Sequence, residues 1–327
     1  MKIAITGSSG HLGEAICHQL KSKGIDFLGI DIKAGPYTKL VGSITNSSIV
    51  DKLLENVDYV IHTATLHKPH IVTHSEKAFI DTNITGTLTL LESCVQNAVK
   101  GIIYTSTTST FGDVLNPKDN EPAIWVDEEV VPKPKNIYGV TKSAAEDLCQ
   151  LYYRNKGLPC IVLKTSRFFM EEDDNRAMRE QYDDLNIKAN ELLHRRVDIE
   201  DVVDAHLLAL EKIETLGFEK FVISATSPFE KSDLARLHVN AEELVKEKFP
   251  DYEELYKSRY WKMFPKIGRV YVNKKARAML GWNPKYDFSH ILNSLKNNKD
   301  FRSELSLKIG AKGYHDTVFE DGPYPVQ

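Results

Sequence analysis

Tyr138 and Lys142 stand four residues apart in a stretch with helical patterning, Ile137 to Arg154. Positions four apart share a helix face, so a phenol and an ammonium are brought side by side. That pair is a proton-transfer unit. Free tyrosine titrates near pH ~10, and an adjacent cation favours its phenolate, which suits Tyr138 to act as general base toward an alcohol or general acid toward a ketone. Upstream lies Thr105-Ser106-Thr107-Thr108-Ser109-Thr110-Phe111-Gly112, a run of six hydroxyl residues at the end of an apolar segment. A hydroxyl there can bond the same substrate oxygen that Tyr138 works on, while others of the six bond their own backbone.

A third set opens the chain. In Lys2-Ile3-Ala4-Ile5-Thr6-Gly7-Ser8-Ser9-Gly10-His11-Leu12-Gly13 an apolar strand runs into a Gly-x-x-Gly-x-x-Gly turn, and a helical pattern follows from Glu14 to Lys21. Gly7 permits the turn off the strand, Gly10 admits a pyrophosphate to the backbone, and Gly13 lets the helix pack close to the sheet. Free N–H groups at the helix start then face the phosphates. Asp31 lies 18 residues beyond Gly13, at the end of the next apolar run. A carboxylate there accepts both hydroxyls of an adenosine ribose and repels a phosphorylated one, which favours NAD. Lys33 is able to meet a ribose phosphate and keeps NADP as the alternative.

The elements that must position these groups alternate. Asp26–Asp31, Val57–His62, Gly101–Thr105 and Pro159–Leu163 read as strands, with helical patterns at Glu76–Asn97 and Ile137–Arg154 between them. Regular β–α alternation predicts an α/β fold, a Rossmann-type doubly wound parallel sheet with ligands outside the carboxyl ends of its strands. The rhythm changes after Arg167. An acidic run, Glu171-Glu172-Asp173-Asp174, leads into polar sequence, Asp198–Leu210 is an amphipathic helix, and Phe221–Ser224 reads as one more strand of the main sheet. The expected division is a dinucleotide-binding domain of residues 1–168 plus about 195–225. A smaller C-terminal substrate domain would take about 169–194 plus 226–327, with a tail rich in Gly and Pro from Gly310 to Pro325.

A chain of 327 residues is long enough for this arrangement. Net charge is −4 with both signs dispersed, which gives no nucleic-acid footprint. No apolar run approaches the ~20 residues of a membrane helix, and the N-terminus reads as a strand rather than a signal peptide. Cys17, Cys94, Cys149 and Cys160 fit no metal or disulfide spacing, so reduced thiols in a cytoplasmic protein are expected. His67, His70 and His74 read as polar lining of a cleft rather than metal ligands, and no metal is assigned.

Taken in order, these residues resemble the extended short-chain dehydrogenase/reductases, and within them the NAD-dependent epimerase/dehydratase family that includes UDP-galactose 4-epimerase. Thr6 to Gly13 resembles its nucleotide turn, and Val60-Ile61-His62-Thr63-Ala64 its fourth-strand motif. Asn83-Ile84-Thr85-Gly86-Thr87 resembles its Asn-x-x-Gly-Thr helix, and Tyr104 through Gly112 its active-site strand. Asp201-Val202-Val203-Asp204-Ala205-His206 resembles its late helix, and Lys275-Ala276 through Leu280-Gly281-Trp282-Asn283-Pro284 its C-terminal signature. The resemblance implies Thr107, Tyr138 and Lys142 as catalytic residues, with Ser106 as the fallback for Thr107. It implies a cofactor site of Gly7, Ser9, Gly10, His11, Leu12, Gly13, Asp31, Thr63, Ala64, Asn83, Thr105, Tyr138 and Lys142, with Asn83 also holding the active-site helix. Thr107, Thr108 and Arg167 would meet the substrate, and Arg195 or Arg196 is a further candidate.

The implied activity is hydride transfer at a secondary alcohol, as a sugar or nucleotide-sugar epimerase. The alternatives are a dehydrogenase/reductase of a small carbonyl compound and, in another class, a dinucleotide-sensing regulator. A homodimer through a four-helix interface of Glu76–Asn97 and Ile137–Arg154 is also implied. Two departures stand out. Thr108 and Ser109 occupy the positions where dehydratases carry an Asp-Glu pair, which weighs against loss of water. The acidic run after Arg167 replaces the epimerases' Asn and Gly-Pro and opposes a diphosphate.

Overall fold

The computed structural model describes residues 1–315 and Phe319, so most of the expected Gly/Pro tail lies outside the described residues. The strands are β1 (Lys2–Thr6), β2 (Asp26–Asp31), β3 (Thr38–Val41), β4 (Tyr59–His62), β5 (Gly101–Thr107), β6 (Ile124–Val126), β7 (Cys160–Thr165), β8 (Phe218–Ile223) and β9 (Arg269–Tyr271). Seven form one sheet in the order β3-β2-β1-β4-β5-β7-β8, with every pairing parallel. The order reverses beside β1, which opens a crevice at the carboxyl edge between β1 and β4.

Alternate residues of each strand serve opposite layers. Ile3, Ile5, Ile61, Ile103, Ile161 and Leu163 pack against α1 (His11–Ser22) and α8 (Ile199–Leu216). Ala4, Val60, Ile102, Tyr104, Cys160 and Val162 face α2 (Ser47–Leu54), α4 (Gly86–Gln96) and α5 (Ile137–Lys156). The helical pattern read as Glu76–Asn97 is a short α3 (Glu76–Phe79), a π turn (Ile80–Thr85) and α4. The thiols divide between the layers, Cys17 in the first and Cys94, Cys149 and Cys160 in the second, all buried and free. Burial pushes the Cys17 thiol up to about 12.

A second core unites Ile187, Leu192 and Leu193 from and just after α7 (Asp184–Leu192) with Leu237, Leu244, Tyr256, Phe288 and Ile291 from later helices. The C-terminal run is shared between both cores, because Leu280, Trp282, Leu305 and Ile309 pack on the first layer of the main sheet. The small parallel pair β6·β9, which had no signal in the sequence, fastens the segment after β5 to the second core. Among the described residues, no helix is long and apolar enough to cross a membrane.

Candidate active site

The glycine turn is built by exclusion. Gly7 has φ +75°, and a Cβ there would lie 2.8 Å from the Ala64 nitrogen. A Cβ on Gly13 would lie 2.0 Å from the Gly7 carbonyl oxygen. Neither position admits a larger residue without moving backbone, so strand, turn and helix are held in the close approach a pyrophosphate requires. Asp31 stands at the end of β2. Its two oxygens accept from Ser9 N at 3.0 Å and Lys33 N at 2.9 Å, which fixes the carboxylate and leaves lone pairs for ribose hydroxyls. Thr63 donates to the Thr6 carbonyl at 2.7 Å, and His62 bridges the Thr6 and Thr87 hydroxyls. Burial lowers His62 to about 3, so it serves as a neutral strut.

One cavity of about 1620 Å³ joins this turn to the end of β5. A single small ligand fills ~300–1,000 Å³, so the space suits a dinucleotide and a substrate together. The wall includes Gly7, Ser9, Gly10, His11, Leu12, Gly13, Asp31, Thr63, Ala64, Thr105, Thr107, Thr108, Tyr138, Lys142 and Arg167. Asn83 departs from the cofactor-contact expectation. It lies behind the wall, and its amide is spent on the protein: Oδ1 accepts from Leu66 N, and Nδ2 donates to the Leu66 carbonyl and the Thr141 hydroxyl. It ties the loop after β4 to α5, which is the helix-holding role.

Asn136 caps α5 by accepting from Gly139 N, and the buried face of the helix presents Tyr138, Lys142 and Glu146 at successive turns. Tyr138 is pushed up to about 12 by burial, opposed by a hydrogen bond from the Thr107 hydroxyl. Lys142 donates to the Thr105 carbonyl at 2.6 Å and sits 4.1 Å above the Tyr104 ring. Burial lowers it to about 7, against the pull of Glu146. This differs from a simple phenolate-stabilising pair. Desolvation outweighs the ammonium, whose hydrogen bond goes to a backbone carbonyl, so the protonated phenol dominates in the protein alone. The residues fit NAD: a cradle that Cβ atoms would fill, a fixed carboxylate at β2, and a lysine held at the far end.

Sequence reasoning passed over Glu146 and the C-terminal segment, while His67, His70 and His74, read as cleft lining, do border the cavity. Glu146 accepts from Ser106, from Lys164 at 2.6 Å and from Lys220 at 3.2 Å. Its spacing, four beyond Lys142, was the available signal. His67 lies nearly parallel to Tyr138, ring centroids 5.7 Å apart. The C-terminal segment also reaches the cavity: Glu171 accepts from Lys312 N and Gly313 N, Lys312 pairs with Glu14 at 2.7 Å, and Tyr314 packs on His67. His70 and His74 line the same wall.

Arg167 is engaged on all sides by the acidic run and α7, pairing with Asp173, with Asp174 at 2.9 Å and with Glu191 at 3.1 Å. Asp174 also holds Lys68 at 2.7 Å. Glu191 further binds Arg195 at 2.7 Å and Arg196 at 2.8 Å. Arg195 lines the cavity and Arg196 does not.

Neutralising Glu146 tests the electrical link along α5. Its charge raises the Lys142 pKa, so in Glu146→Gln the ammonium gives way to the amine at lower pH than in the parent protein, whose value is about 7. The alkaline limb of the kcat/KM profile will therefore move toward acid. A profile measured in both proteins checks this, and coincident limbs would sink the link.

The sequence model of the NAD dependent epimerase/dehydratase family matches residues 3–224. The chain is 30% identical over 191 residues to a dTDP-D-glucose 4,6-dehydratase of Dictyostelium discoideum, covering 51% of this chain but only 44% of that relative's length. It is 25% identical over 339 residues to a UDP-glucose 4-epimerase of Rhizobium meliloti, covering 90% of this chain and 96% of the relative. Among solved structures, UDP-glucose 4-epimerase from Thermotoga maritima superposes with a TM-score of 0.63 at 24% identity, over 90% of this chain and 96% of that one.

Proposed function

The chain belongs to the NAD dependent epimerase/dehydratase family, and from that premise we propose that it is a sugar or nucleotide-sugar epimerase working by reversible hydride transfer. The observation that carries this is the meeting of Thr107, Tyr138 and Lys142 on the same cavity as the glycine turn and Asp31. NAD, held by the glycine turn and Asp31, would supply the hydride chemistry at the carbon that bears the secondary alcohol. Tyr138 takes the hydroxyl proton and gives it back to the ketone. Thr107 holds the oxygen of Tyr138 and that of the substrate. Lys142 would hold the nicotinamide ribose and place positive charge on the phenolate side of the balance, against the larger effect of desolvation. The buried, neutral setting of Tyr138 favours the proton-giving half of the cycle, in which the ketone is recaptured.

The second core, residues about 169–194 plus much of 226–327, would hold the sugar. A dimer through α3–α4 and α5 is supported by exposed apolar side chains on those helices, among them Ile80, Val95, Val140 and Leu151. Four free thiols accord with a reducing compartment such as the cytoplasm. The second reading is a dehydrogenase that releases its keto product. The observation in its favour is Arg167, already neutralised where a nucleotide diphosphate would need it. A dinucleotide-sensing regulator would have no use for a buried acid/base pair.

Native mass spectrometry of freshly purified protein tests the proposal in one spectrum. Two 37.1 kDa chains each carrying NAD is the expected result, since an epimerase regenerates its cofactor every cycle. Nucleotide-free chains that take up NAD reversibly would move the assignment to a dehydrogenase. Chains that bind no nicotinamide dinucleotide would overturn it.

A further inference from the structure

The cations on the cavity wall are not equally occupied. Arg167 and Arg195 are answered by Asp173, Asp174 and Glu191. Arg269, the first residue of β9, lines the same cavity and has no carboxylate partner among the described residues. Among the described residues its guanidinium reaches the Leu115 carbonyl, at 3.4 Å, and Tyr271, whose ring centre lies 5.9 Å away. Its Nε is buried without a hydrogen-bond partner, and so is the Nε of Arg195.

The two arginines stand on adjoining backbone. Tyr271 N donates to the His194 carbonyl at 2.9 Å, and the His194 ring nitrogen lies 3.0 Å from the Arg269 carbonyl oxygen. Burial holds His194 neutral, with Arg195 and Arg269 acting in the same direction, so the imidazole adds no charge. Glu191 acts on Arg269 only from beyond ion-pair distance, and a desolvated guanidinium with an open donor and no carboxylate in contact is costly. It is a ready site for an anion that brings its own charge and two acceptor oxygens.

Position decides which anion. Leu115 closes the short turn Asp113–Leu115, one residue beyond the turn Thr108–Phe111 that Thr107 caps. Arg269 therefore stands beside the turn that follows the hydroxyl-rich end of β5, on the same cavity wall as Thr107 and Tyr138. Arg167, at the place where the resemblance puts a diphosphate, is already paired. One unanswered guanidinium calls for one negative charge on the sugar itself.

We propose that Arg269, assisted by Arg195, binds a carboxylate carried by the sugar ring, so that the substrate is an acidic sugar. This rests on the hydride-transfer reading of the site and specifies its substrate class.

The test is calorimetric binding to the NAD-loaded protein, with parallel assays of NADH formation and of epimer formation. The probes are glucuronate, galacturonate, glucose, glucose 6-phosphate and UDP-glucose. A uronate should bind more tightly than all the neutral and phosphorylated sugars. Arg269→Gln should weaken it by about 10- to 100-fold, the range for losing a charge-assisted hydrogen bond. Arg269→Lys should recover part of the loss, as expected of charge rather than packing. Both variants should keep the parent's NAD affinity and circular dichroism. Uronate binding unchanged in Arg269→Gln, or preference for glucose, glucose 6-phosphate or UDP-glucose, would overturn the proposal. Failure of the hydride reading looks different: uronates bind through Arg269, yet neither reduced cofactor nor an epimer appears with any sugar.

Discussion

Replacing Tyr138 by phenylalanine will lower turnover by about 10²- to 10⁴-fold, the usual worth of a positioned acid/base group, and will leave NAD bound. The reason lies in the placement of the phenol. Tyr138 is almost wholly buried, and its oxygen accepts from Thr107. Among the described residues none stands ready to replace it: burial lowers His67, stacked against its ring, to about 3, and Lys142 is tied to the Thr105 carbonyl. Phenylalanine keeps the ring and its packing while removing the proton carrier. Stopped-flow measurement of hydride transfer, with NAD content determined on the same sample, reads both halves. Turnover within a few-fold of the parent would remove Tyr138 from the mechanism.

Changing Glu191 to glutamine will have the largest effect on stability, a loss of about 3–5 kcal/mol, as when one member of a buried charge cluster is neutralised. Glu191 is fully buried and pairs with Arg167, Arg195 and Arg196. Burial alone would raise its pKa, but Arg195, Arg167 and Arg196 together hold it well below the carboxylate range. The sign follows from that depression. The unfolded chain binds the proton more readily, so the contribution is full above the ordinary value of ~4.3 and is lost as pH falls through the folded value. Urea unfolding at several pH values should show a steeper acid decline in the parent than in the variant. Parallel curves would mean that Glu191 is not the hub of the cluster.

The main sheet and its reactive edge were legible in the sequence because local signals coincide there. Strand, glycine turn and helix occur within residues 2–22, and a single helix period joins Tyr138 to Lys142. Glu146 obeyed the same period but was hidden by its chemistry: a glutamate on a helix is ordinarily solvated, and its partners Ser106, Lys164 and Lys220 come from β5, β7 and β8. Arg269 and Glu191 were illegible for another reason. Arg269 takes its meaning from the β6·β9 pair and the His194 contact, which join segments more than 70 residues apart, and Glu191 from burial that brings three arginines onto one carboxylate, which spacing does not encode. The acidic run was seen as an obstacle to a diphosphate. That Asp173 and Asp174 clamp Arg167 itself could be learned only from the fold. The raised pKa of Tyr138 likewise depends on how completely neighbours exclude water, which spacing does not encode.

The division of the thiols between the two layers offers a built-in pair of clocks. Cys17 sits on the buried face of α1 on one side of the sheet, while Cys94, Cys149 and Cys160 lie on the other. A buried thiol reacts with a disulfide reagent only when its layer opens. Mass spectrometry of partially labelled chains therefore times the two sides of the sheet separately, with no engineered probe. Equal rates would describe a sheet that opens as one unit. Early labelling of Cys17 alone would show the dinucleotide-side helix lifting from a sheet whose opposite layer is still closed.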